Sequence, residues 1–182
     1  MTLDGDLAEP AQAAQLAALE QRLEQAAEPA ALLALATEVD RLGGQLVSEL
    51  ARLRDQPELT SPVAAVLLRV QEVYARTLLR TAERFDDVGS PRRGAYVLIE
   101  VLRRAIDPDV LEMAIGALAF TLEAHGQDAA ATHVRGLAAL ALPAAGEDIP
   151  ARRARRAQYL DLIDTLPDHI AWTDLDDELG VD

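Results

Sequence analysis

The sequence predicts an all-α protein of stacked antiparallel helical hairpins, and three observations carry that expectation. Half of the 182 residues are apolar but only 3% are aromatic. The core must therefore be built from Ala, Leu, Val and Ile, which suit closely approaching helices. Nine prolines stand where helices would start or stop. Finally, Gly89-Ser90-Pro91 and Gly126-Gln127-Asp128 each read as a tight turn between helices, their glycines 37 residues apart at 89 and 126. Such a period is a repeat signal.

Taken in order, residues 10–27 place Leu16, Leu19, Leu23 and Ala26 on one helical face, a stripe suited to pairing with another helix. From Pro29 the series Leu32, Leu35, Val39, Leu42, Leu46 and Leu53 continues that rhythm, interrupted by Gly43-Gly44. Two glycines cost about 2 kcal/mol relative to alanine in a helix interior, so a turn is expected there. Pro57 reads as a stop and Ser61-Pro62 as the next start. The helix from Pro62 carries Val63, Val66, Val70, Tyr74, Leu78, Thr81 and Phe85 along one stripe.

Gly89 ends that helix, and Pro91 begins one whose inner face is Tyr96, Ile99, Leu102 and Ile106. Asp107-Pro108 restarts the chain. Residues 110–122 are apolar nearly all round, broken by Glu112 and Thr121, so this helix is expected at the centre of the core. Gly116, and Gly136 in the following helix at 129–142, are expected to allow close backbone approach. Pro143 stops that helix, and a last one follows Ile149-Pro150 as far as Pro167. Ser61, Ser90 and Asp107 are suited to cap helix N-termini.

Leu118-Ala119, Gly126, Ala131, Ala138 and Pro143 together resemble the tetratricopeptide repeat, a helix-turn-helix unit of about 34 residues. Residues 112–145 match that pattern. The preceding unit has Ala82, Phe85, Gly89 and Gly94 well placed, but Pro108 closes it two residues late. The resemblance, which spans residues 74–143, implies a superhelix or bundle of hairpins that binds a peptide or another protein in its groove. The family's peptide-carboxylate clamp uses Lys, Asn and Arg, and this chain has no Lys.

Composition closes off several chemistries. All 17 basic residues are Arg, which excludes a lysine Schiff base and a lysine-dependent P-loop. No cysteine is present, hence no disulfide and no thiolate ligand or nucleophile. A net charge of −14 opposes general nucleic-acid binding. Uncharged stretches such as residues 113–122 are too short to span a bilayer. The acidic N-terminus lacks the pattern of a secretory signal, so cytoplasmic residence is expected.

The three histidines lack the Glu-x-x-His spacing of a di-iron bundle, the three serines include no Gly-x-Ser-x-Gly, and the acidic clusters lack calcium-loop spacing. Neither catalysis nor a metal or cofactor is expected. Charge is unevenly spread. Residues 1–60 hold 11 acids and four Arg, 61–156 hold 12 acids and 13 Arg, and 157–182 hold eight acids and no base. The organisation expected is an acidic pairing segment at 1–60, a helical-repeat core at 61–167 and an acidic tail at 168–182.

The function expected is a non-enzymatic protein-binding or assembly module, self-association included. Trp172, Leu175 and Leu179 are the apolar anchors of the tail, expected to dock on an Arg-bearing surface of this chain or a second copy. Arg92, Arg93, Arg103, Arg104, Arg152, Arg153, Arg155 and Arg156 are the basic complements. Two alternatives remain. One is a small-molecule-binding regulator or enzyme with a pocket near His125, His133 and Arg135; the other is an accessory protein touching nucleic acid through its Arg run.

Overall fold

A computed structural model describes residues 11–52, 57–105, 107–141 and 146–175, and among these every regular element is helical. The order is α1 (Ala11–Gln25), α2 (Pro29–Arg52), α3 (Pro57–Asp87), α4 (Pro91–Arg104), α5 (Pro108–Ala124), α6 (Asp128–Gly136), α7 (Ala138–Ala141) and α8 (Ile149–Thr165). Two single-turn 3-10 segments follow, Leu166–His169 and Trp172–Leu175. The protein is thus all-α. It forms two compact units, Met1–Thr77 and Leu78–Asp182, whose division falls within α3. Leu179, Leu142, Pro143, Ile106 and Pro10 lie outside the described residues.

In the first unit the apolar stripe of α1 turns inward: Leu16 and Leu19 pack with Leu35, Val39, Leu42 and Leu46 of α2 and Val63, Val70 and Val73 of α3. Each such side chain contributes about 1.5–3 kcal/mol on leaving water. Two expectations are corrected here. Gly43-Gly44 is no turn, because α2 runs unbroken from Pro29 to Arg52. A Cβ on Gly43 would stand 3.3 Å from Val70 Cγ1, so the missing side chain lets α3 approach. Likewise α3 starts at Pro57 and continues through Ser61-Pro62. One lost backbone bond in its second turn is outweighed by the packing of its apolar face.

The second unit is built on two turns of the same design. Ser90 N–H donates to Phe85 O at 2.8 Å and Gly89 N–H to Asp86 O at 3.0 Å; Gln127 N–H donates to Leu122 O at 2.9 Å and Gly126 N–H to Glu123 O at 2.9 Å. Gly89 and Gly126 sit at φ 71° and 73°, the left-handed conformation this paired bonding requires. The expected hairpin turns are therefore where the sequence puts them. Beyond the first, Gly94 lets α4 settle on α3, since a Cβ there would meet Ala82 O at 3.3 Å. Gly116 and Gly136, expected to serve such approaches, have open space instead.

Caps differ in detail from expectation. Asp107 accepts from Asp109 N–H at 2.9 Å, but Ser90 makes no side-chain cap bond. An uncounted cap, Asp148, accepts from Ala151 N–H at 2.8 Å and starts α8. The helix expected over 129–142 is split after Gly136, where Leu137 N–H turns back to Val134 O. Leu137 is buried, and that inward side chain holds the break.

Candidate functional site

Of the tail residues expected to bind, Trp172 and Leu175 lie on the protein's own second unit. Trp172 stacks on Tyr96 of α4, ring centroids 4.0 Å apart and planes 5° from parallel, and its Nε1–H donates to Pro167 O at 2.9 Å. Gln127, at the start of α6, holds Ala171 by both amide atoms: Nε2–H donates to Ala171 O and Oε1 accepts from Ala171 N–H, each at 2.9 Å. Ile170 and Leu175 are buried. The segment is thus a strap stitched over α4 and the α5–α6 turn.

Several of the arginines are tied into the same unit. Arg103 pairs with Glu100 and Asp164, and Arg104 with Glu100. Arg155 makes a two-pronged pair with Glu147 at 2.8 and 3.0 Å and donates to Leu140 O. Arg156 donates to Arg103 O at 3.2 Å and lies over the Tyr159 ring, whose hydroxyl donates to Leu102 O at 2.8 Å. Carbonyls 102 and 103 belong to the last turn of α4, which has no helical partner for them, so α8 caps α4 from the side. Burial pushes the Tyr159 hydroxyl up to about 12, against the opposing pull of Arg156. Arg93, Arg152 and Arg153 are exposed and Arg92 is half-buried.

The histidine group is likewise engaged locally. His125 Nδ1 lies 2.8 Å from Thr121 O at the end of α5, and Arg135 forms a two-pronged pair with Glu123. That pair holds the Glu123 carboxyl below the usual carboxylate range. His133 and His169 rings stand 4.5 Å apart, tilted by 30°, with His133 Nε2 buried and without a hydrogen-bond partner. Among the described residues no three His, Asp or Glu side chains converge as a metal ion requires, and no helix is long and apolar enough to cross a membrane.

What sequence reasoning did not isolate is the outer face of α5. The helix packs against α4, α6 and α7 through Val110, Leu111, Ala114, Ile115, Leu118, Ala119 and Leu122. Its opposite stripe faces water: Phe120 is 68% exposed and Met113 52%, with Gly116 between them and Ala124 beyond. Beside Phe120 lies a cleft of about 90 Å³ between the end of α3, α4 and α5, floored by Ala82, Leu98 and Ala117 and edged by Glu83 and Asp86. The signal was in the pattern. A helix apolar on every side either sits inside the core or reserves one face for something else. No protein-family model, curated protein or solved structure matches the chain.

Proposed function

We propose that this chain is a non-enzymatic protein-binding module whose contact face is the outer stripe of α5 with its adjoining cleft. The observation that carries this reading is the exposure of Phe120 and Met113, seven residues apart on one helix face. Two large apolar side chains lined up at helical spacing beside an apolar cleft are the arrangement in which a partner's side chain is gripped. Trp172 and Leu175 are engaged within the chain, which leaves the α5 stripe as the better-exposed apolar surface. The resemblance of the Gly89 and Gly126 hairpins to tetratricopeptide units supports the same reading, since that family binds partners in a groove lined by successive helices.

Phe120→Ser tests it. A 68% exposed ring contributes little to the fold, so Tm stays within a few degrees of the wild type. Proteins captured from the native cell by the wild-type chain are lost with the variant. Recovery of the same proteins at the same yield by both chains sinks the reading.

A further inference from the structure

The α5 face is chemically one-sided, and this narrows what it takes. Helix α5 contains Asp109, Glu112 and Glu123 and no basic residue. Asp109 and Glu112, both exposed, stand just before Met113 in the sequence, in the first turns of α5. At the other end Glu83 and Asp86, both exposed, edge the cleft beside Phe120, and no basic residue lines it. The apolar strip is therefore bordered by carboxylates at both ends, on a chain whose net charge is −14.

Resting on the function proposed above, we propose that the occupant is a basic amphipathic segment of another protein, an aliphatic side chain in the cleft flanked by Arg or Lys toward Glu83, Asp86, Asp109 and Glu112. Charge selects this occupant over the alternatives. An acidic segment with the same apolar anchors would bring like charges onto an apolar floor, where water is displaced and screening is weakest. A second copy of this chain carries the same large negative charge and is repelled at long range. A basic segment is drawn in over the same distances, and its apolar anchor supplies the specificity once docked. Each exposed ion pair adds only modestly to affinity. Removal of carboxylates should therefore act most on the association rate and its salt dependence, and removal of Phe120 on dissociation.

The test uses the full chain and three synthetic peptides of about 16 residues, read by fluorescence anisotropy. One carries Leu at alternating three- and four-residue steps flanked by Arg, the second has the same Leu pattern flanked by Glu, and the third has Arg with Ala replacing Leu. The Leu/Arg peptide is expected to bind, about tenfold more weakly to Phe120→Ser and about three- to tenfold more weakly to the Glu83→Gln/Asp86→Gln double variant. Both variants retain the wild-type helical signal and Tm. The Leu/Glu peptide is not expected to bind.

Equal binding of the Leu/Glu peptide, lost in Phe120→Ser, overturns the charge selection while leaving the contact face intact. Binding of the Ala/Arg peptide as tight as Leu/Arg, or of Leu/Arg unchanged by Phe120→Ser, overturns the face as well. No binding of the Leu/Arg peptide up to about 100 μM overturns the inference alone, because the capture experiment judges the face separately. A concentration-dependent dimer in sedimentation, dissolved by Phe120→Ser, assigns the face to a second copy and overturns it too.

Discussion

Single residues decide whether the helices approach, and the glycines separate into classes that respond oppositely to alanine. Gly116→Ala is expected to stabilise by about 0.5–1 kcal/mol, because a methyl there meets open space and improves helix propensity. Gly94→Ala is expected to destabilise by about 1–3 kcal/mol, its methyl forced against a backbone carbonyl that cannot yield by a rotamer change. Urea midpoints of the two variants, moving in opposite directions, check this. Sequence placed every one of these glycines but not their functions. Whether a helical glycine faces a neighbour depends on which side of the helix it occupies, and that side is set by tertiary packing. Gly89 and Gly126 were legible because a positive φ at a helix end is a local demand that only the turn itself imposes.

Elements end correctly only when their last carbonyls find donors, and α4 depends on α8 for two of its own. Tyr159 carries a pH prediction. The unfolded phenol titrates near pH 10, whereas burial raises the folded one to about 12. Below about pH 10 both states hold the proton and the contribution is complete. As pH rises from about 10 to 12 the unfolded chain releases it first, so stability falls, by about 2–3 kcal/mol at the upper end. The urea midpoint is expected to drop over that window, and Tyr159→Phe to be less stable at neutral pH but shallower in the drop. The Arg run at the start of α8 was visible in the sequence and read there as a basic complement for the acidic tail. Its partners, Glu147 and the carbonyls of Leu140 and Arg103, are 8, 15 and 53 residues away from the arginines they meet, beyond any local pattern.

At the scale of the whole molecule, the fold class was legible and the site was not. Composition, prolines and paired turns sufficed for an all-α chain. The proposed contact face, by contrast, showed only as the all-round apolar pattern of residues 110–122, and a linear pattern does not say whether a neighbour covers each side of such a helix. The division at Thr77/Leu78 is silent for a related reason: it crosses α3 where no Pro or Gly marks it, whereas Pro57 and Pro62 punctuate a stretch that stays helical. If the acidic face works as proposed, capture of its partner weakens as salt rises through about 0.3 M, where the screening length shrinks to several ångströms. Capture independent of salt counts against the carboxylates. Trp172→Ala is expected to cost about 1–3 kcal/mol through the lost stack and hydrogen bond, measured by thermal melting. The same side chain is the sole indole in 182 residues, which gives the molecule a built-in optical reporter. Its emission senses one event, the strap lifting off Tyr96. A red shift that precedes loss of helical signal on mild heating would time that opening without any added label.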